Sequence, residues 1–295
     1  VLAAAPTARW FRPRSLDEAL QLLAAERPRV VCGGTDVFVR WSSEYHRSAP
    51  SAWLAIDALP ELRGIVAGEE SVELGAAVTA SDVRAAPALA PFVALREAAA
   101  IVGGWQIQNR ASLGGNIVNA SPAADLVIPL RAYGASVVAA SIRGTREVPL
   151  GDFITGPRRV TLAPDELVTR VRFPRALASG KQRFFRLDQR TGCDISLVSL
   201  AAVVRPSGDR SVASASIAVG AAHPFPLALP EADALLTGEP DETAIRAVAQ
   251  RYAEAAEPIS DVRASAAYRR HLVGGLVERI LRSLLTTRSR GVFET

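Results

Sequence analysis

Apolar residues first recur at helical spacing behind a polar cap. After Arg12-Pro13, the run Ser15-Leu-Asp-Glu18 reads as a capping box, and Leu16, Ala19, Leu20 and Leu23 share one helix face. The pattern then changes to a β-branched pair, Val30-Val31, which runs into Cys32-Gly33-Gly34-Thr35-Asp36 as a strand ending in a tight turn. Residues 52–56 predict another strand. Alternation at Ile65, Val66, Val72, Leu74 and Ala76 predicts a β-hairpin around Gly68-Glu69-Glu70. Thr79 to Ser81 then caps a helix, and a second helix over 94–102 ends at Gly103-Gly104, since glycine is favoured just past a helix C-terminus.

Further along, Ser121-Pro122 predicts an N-cap and first-turn proline for a helix carrying Leu126-Val127-Ile128-Pro129-Leu130. Strands are predicted over 135–140, 147–153 and 167–173, with a turn at Gly144. A composition break at 174–180 predicts a domain boundary. Beyond it, 183–187, 196–205 and 212–219 predict an antiparallel sheet, followed by a helix over 241–256 and a C-terminal helix striped with Tyr268, Leu272, Leu276, Ile280 and Leu284. Strands followed by helices make this tail an α+β unit.

Composition narrows the class. At 295 residues, with 49% hydrophobic and 22% charged, the chain is long enough for two or three cores. The pI of 9.6 does not imply nucleic acid, because 34 basic residues nearly balance 30 acidic ones and no dense basic block occurs. Lys181 is the single lysine, so the positive charge is almost all arginine. Cys32 and Cys193 are the two cysteines and form no Cys-x-x-Cys pair, which predicts a reduced, cytoplasmic setting. Val1 to Pro6 has no charged n-region or long apolar core, so neither a signal peptide nor a membrane span is expected.

The chemistry concentrates in two glycine turns. One is Cys32 to Asp36; the other is Ser112-Leu-Gly-Gly-Asn-Ile-Val-Asn-Ala-Ser-Pro-Ala-Ala-Asp125. Glycine admits positive φ and lets a ligand approach bare N–H groups, so such a turn leading into a helix N-terminus suits an anion or phosphate. A single Gly-Gly is more often a plain turn. Competing chemistries lack their signatures. His46, His223 and His271 are isolated, and no P-loop, no G-x-G-x-x-G after a strand and no G-x-S-x-G elbow occurs.

Together the two turns resemble the FAD-binding medium subunit of the molybdenum hydroxylases, the family of xanthine dehydrogenase and aerobic carbon monoxide dehydrogenase. That family carries an Ala-Gly-Gly-Thr-Asp turn and a Thr-Leu-Gly-Gly-Asn-Ile-x-x-Ala-Ser-Pro-x-x-Asp segment. Here Cys32 stands for the alanine and Ser112 for the threonine. Pro258-Ile-Ser-Asp261-Val-Arg263 with Tyr268-Arg269 resembles the family's tail. The resemblance implies an α+β chain: a two-subdomain FAD-binding fold of the PCMH (vanillyl-alcohol oxidase-like) type over 1–174, split near 56/57, then a small α+β C-terminal domain over 180–290.

By the same resemblance, Cys32, Gly33, Gly34, Thr35, Asp36 and Val37 approach the FAD pyrophosphate from one side and Ser112, Gly114, Gly115 and Asn116 from the other. Asn119, Ser121 and Asp125 match positions around the flavin and its ribityl chain; Asp125 also suits a helix-dipole role. Val168 matches an aliphatic position on the ring and reads equally as strand core. Arg186 stands where many relatives have lysine, Gln108 where they have arginine, and Asp194 is a further carry-over. The implied function is electron transfer: FAD on this chain, with the molybdenum cofactor and two [2Fe–2S] clusters on a large and a small partner in a dimer of heterotrimers. Two cysteines cannot ligate a cluster that needs four thiolates. The alternatives are a self-contained FAD oxidoreductase of the same fold and a flavin-free interaction module.

Overall fold

The protein is described from a computed structural model covering residues 8–39, 50–190, 192–208 and 211–286. The expectations for Val1 to Pro6 and for His46, and positions 287–290 of the predicted tail, lie outside the described residues.

The chain opens with β1 (Arg9–Phe11), α1 (Leu16–Glu26), β2 (Arg29–Val31) and β3 (Ala52–Ala55), whose strands form a parallel sheet in the order β1-β3-β2. Ser15 caps α1 by accepting from the Glu18 N–H at 3.2 Å. The reciprocal half of the expected capping box is absent, because the Glu18 carboxylate takes the Arg14 N–H at 2.7 Å. Leu20, Leu23, Leu54, Ile56, Leu59 and Leu62 close a small core beneath this sheet.

A five-stranded antiparallel sheet follows. It contains β4 (Ile65–Ala67) and β5 (Ser71–Gly75). Helices α2 (Ala80–Ala85), α3 (Val93–Ala100), α4 (Trp105–Gln108), α5 (Leu113–Val118) and α6 (Val127–Ala132) come between these strands and β6 (Ser136–Ser141). Next come β7 (Gly144–Pro149), α7 (Leu150–Phe153), the short pair β8 (Ile154–Gly156) and β9 (Arg159–Val160), and β10 (Leu167–Pro174). The order is β4-β5-β10-β6-β7. Thr79 and Asp82 form a full capping box on α2. Helix α3 stops at Ala100, two residues short of the expected end, and Gly103 makes the left-handed turn at φ 52°.

The predicted strand over 147–153 is half helix. Pro149 ends β7, since it has no N–H for the ladder, and Leu150 and Phe153, at helical spacing, are buried by α7. The Ser121-Pro122 prediction also fails. Ser121 Oγ accepts from the Ala123 N–H in a turn, and α6 starts at Val127 with no side-chain cap.

The last unit stacks β11 (Lys181–Leu187), β12 (Val198–Pro206) and β13 (Val212–Gly220) in an antiparallel sheet of that order. It is covered by α8 (Pro230–Asp233), α9 (Glu242–Ala255) and α10 (Ala266–Thr286). Phe184, Ala201, Val203 and Ala218 of this sheet join the core built around β5, β6 and β10. Tyr133 ties the units further: it receives the Leu95 N–H at 3.2 Å and donates to Gln182 Oε1 at 2.6 Å. Among the described residues no helix is long and apolar enough to cross a membrane.

Candidate cofactor site

The second glycine segment is anchored by the end of the central sheet. A bulge in β10 between Val168 and Arg170 turns the Thr169 carbonyl toward the Ala76 N–H at 2.9 Å. Ala76 and Val78 in turn accept from the N–H groups of Gly114 and Leu113, each at 2.8 Å. Gly114 and Gly115 are therefore not a loop leading to a helix, as the sequence suggested, but sit in the first turn of α5 itself. Ser112 is the N-cap, its Oγ accepting from the Gly115 N–H at 3.3 Å.

This arrangement changes the reason for the glycines. A Cβ on Gly114 would lie 2.8 Å from the Ala76 Cβ and 3.0 Å from its carbonyl oxygen, so the residue is small to let α5 dock on the sheet. A Cβ on Gly33 would lie 1.8 Å from the Arg110 carbonyl oxygen. The first glycine turn is thus packed backbone to backbone against the segment leading into the second. Gly34 has φ 74° and faces the Phe38 ring, so it supplies a turn that L-residues rarely adopt. Gly115 alone of the four is exposed, with only Ser112 Oγ nearby.

The available donors lie on one side. The leading N–H groups of α5 are occupied by Val78, Ala76 and Ser112. Among the described residues, the N–H groups of Gly33, Gly34 and Thr35 meet no protein acceptor. Successive backbone N–H groups of this kind form an anion-binding concavity. Cys32 neighbours Ser112 across the two segments, and burial pushes its thiol pKa up against the influence of that hydroxyl. Ser112→Ala removes both the cap and this hydroxyl. The expected loss is about 1 kcal/mol, read from the urea midpoint of the cofactor-free chain.

Asp125, only 8% exposed, pairs with Arg186 NH1 at 3.0 Å. Arg186 also donates to the Ile101 carbonyl at 3.1 Å and clasps Asp188 through Nε and NH2 at 2.9 and 2.8 Å. The planar fork spans three segments, which a lysine ammonium cannot do. Burial pushes the Asp125 carboxyl up to about 7, against the pull of Arg186. Asp125 does not serve the α6 dipole. Its Oδ1 and the Asn116 Oδ1 are buried with no partner among the described residues, so the cleft offers acceptors for donors that a ligand would supply.

Other carried-over residues fare differently. Asn119 lies at the mouth and contacts Arg158, as does Asp36. Val37 follows in the turn after Asp36. Val168 is 1% exposed within the main core. Asp194 spends its carboxylate on the N–H groups of Gln189, Arg190 and Ile195, which holds its pKa down, and shapes its own loop rather than touching either glycine segment. Gln108 is 2% exposed and donates to the Ala100 carbonyl. Arg158 escaped sequence reading because the strand pattern around it carries no mark of a contact more than a hundred residues away. No cluster of three or more His, Cys, Asp or Glu suited to a metal occurs among the described residues.

A glycine turn from the first unit packed on the segment that leads into the α5 glycines of the second, followed by a small antiparallel-sheet domain, fits a PCMH-like FAD-binding architecture. The chain belongs to the FAD-binding medium subunits of the molybdopterin dehydrogenase family: the model of the FAD binding domain in molybdopterin dehydrogenase matches residues 6–176, and that of the CO dehydrogenase flavoprotein C-terminal domain matches 183–284. It is 32% identical over 238 residues to the nicotinate dehydrogenase FAD-subunit of Eubacterium barkeri, covering 78% of this chain and 80% of that one. It is 30% identical to the xanthine dehydrogenase FAD-binding subunit of Escherichia coli O157:H7, over 93% of this chain and 94% of that one. A chain of carbon monoxide dehydrogenase from Hydrogenophaga pseudoflava superposes with TM-score 0.87 at 28% identity, over 96% of this chain and 98% of that one. A chain of quinoline 2-oxidoreductase from Pseudomonas putida 86 gives 0.86 at 26%, over 95% and 97%. The protein is an electron-transfer FAD subunit of a larger oxidoreductase.

Proposed function

We propose that the cleft holds FAD, with its pyrophosphate on the open N–H groups of Gly33, Gly34 and Thr35 and its ribityl and ring end toward Asn116, Asn119, Ser121 and Asp125. What supports this is that, among the described residues, the N–H groups of the first turn and the buried oxygens Asn116 Oδ1 and Asp125 Oδ1 all meet no partner. FAD supplies the redox chemistry, and the chain binds and orients it while keeping water from its buried end. Asp125 and Arg186 set the charge at that end: a carboxylate against a permanent cation. Gly115, exposed beside the cleft, leaves room for close approach. On this reading the chain divides into a FAD-binding part over 1–174 and a tail over 180–290, and the 3₁₀ turn at Arg175–Ser179 between them supports it.

The complex is read as a dimer of heterotrimers working in the cytoplasm. A small partner with two [2Fe–2S] clusters brings electrons from a large molybdenum-bearing partner to this chain, which passes them to an acceptor. The flavin-loaded chain is expected to be yellow and to be bleached by dithionite, with no turnover of a heterocycle, aldehyde or carbon monoxide until the partner chains are added. Stoichiometric oxidation of an organic substrate by the single chain would replace this reading with a self-contained oxidase.

A further inference from the structure

We propose that Arg158 is a latch that holds the two cofactor segments closed on each other and so sets how fast the cofactor leaves; this rests on the FAD reading of the cleft. Arg158 sits in the two-residue turn between β8 and β9. Its NH1 reaches Asp36 Oδ2 at 3.2 Å in the first glycine turn, and Asn119 in the second segment through both Oδ1 and the carbonyl oxygen, the latter at 3.4 Å. Its own N–H donates to the Ala120 carbonyl at 2.9 Å. One residue from a third element therefore grips both walls of the cleft.

The backbone at this point is unusual for the residues it carries. Arg158 has φ 61° and Ala120 φ 44°, both in the left-handed region, which glycine would occupy at less cost. Such conformations persist where the surroundings over-determine them, and the bond from the Arg158 N–H to the Ala120 carbonyl together with the Asn119 contacts does so here. The side chain is 40% exposed at the mouth of the cleft, not in the core. Its charge also pairs with the Asp36 carboxylate of the first turn.

A latch and a direct phosphate ligand make opposite predictions for Asp36. If Arg158 works by gripping Asp36, then Asp36→Asn weakens flavin retention, and the double variant with Arg158→Gln is no worse than the poorer single one, as coupled partners require. If Arg158 reached the phosphate itself, Asp36→Asn would free it and tighten binding.

The experiment uses the full chain. FAD release is followed by the recovery of flavin fluorescence on dilution, and hydrogen exchange of residues 32–37 and 117–121 is measured in the cofactor-free chain. Arg158→Gln and Asp36→Asn are each expected to release FAD about tenfold faster and to speed exchange in both segments, with Arg158→Lys intermediate because it keeps the charge while its ammonium ends short of the position that NH1 holds. Unchanged release and exchange in Arg158→Gln, or tighter binding in Asp36→Asn, overturns the latch. A wild-type chain that binds no flavin overturns the FAD reading instead, and the exchange rates then still decide whether Arg158 joins the two segments.

Discussion

Gly33→Ala should yield a chain that retains no flavin and is destabilised by about 3 kcal/mol or more, a cost typical of forced overpacking against backbone. The cause is local. The added Cβ would stand 1.8 Å from the Arg110 carbonyl oxygen, 2.7 Å from its carbon and 3.3 Å from the Ala111 nitrogen, and none of these atoms belongs to a side chain that can swing aside. The first turn must lift off the segment carrying the second. That displacement separates the open N–H groups of Gly33 to Thr35 from Asn116 and parts Cys32 from Ser112. Gly115→Ala is the control. Its Cβ meets only Ser112 Oγ, at 2.8 Å, and alanine favours the helix, so the fold should hold within about 1 kcal/mol while the methyl intrudes on the exposed side of α5. Flavin content by absorbance and urea midpoints on both variants check the pair. If Gly33→Ala binds flavin stoichiometrically at wild-type stability, the two turns do not depend on each other as described.

This contrast also marks what the sequence could and could not disclose. The elements around the glycine turns were readable because apolar periodicity and caps are local signals: Ser15 and Thr79 cap helices where their spacing places them. The paired Gly-Gly motifs marked two segments that the fold packs together. Their purpose was misread, because a sequence shows that a side chain is missing and not what takes its place. At Gly33 and Gly114 that is the protein's own backbone. Leu150 and Phe153 misled in the same way, since an apolar run fits a strand or a short buried helix until its neighbours are known. Arg158 and the Arg186 fork lay beyond reach for a different reason. Each joins segments separated by tens of residues or more, and one arginine among so many has no local mark of that role.

Arg186→Met is expected to destabilise the chain strongly, and to do so in a pH-dependent way that identifies the group left behind. Among the described residues Arg186 is the one cation paired with the buried Asp125 carboxylate. Removing one partner of a buried pair leaves an uncompensated charge and costs about 3–5 kcal/mol. The pH dependence follows from the direction of the Asp125 shift. Burial raises its carboxyl from 3.8 to about 7 in the folded chain, so between those values the folded state binds more protons than the unfolded one. Its contribution to stability is therefore fully present below the unfolded value and is lost as pH rises through the folded one. Without Arg186 the carboxylate keeps its desolvation penalty and loses the attraction that opposed it, so its folded pKa moves higher still. The variant should be impaired least in mildly acidic buffer, where Asp125 carries a proton and needs no counter-charge, and most above neutrality, where it must ionise without one. Urea midpoints of the wild type and the variant, compared at about pH 5 and about pH 8.5, measure this, with the larger gap expected at the higher pH. Adding Asp125→Asn should remove most of the pH dependence of the gap. A gap of equal size at both pH values would mean that Arg186 acts through the packing of its fork against Ile101 and Asp188, and not through the charge of Asp125.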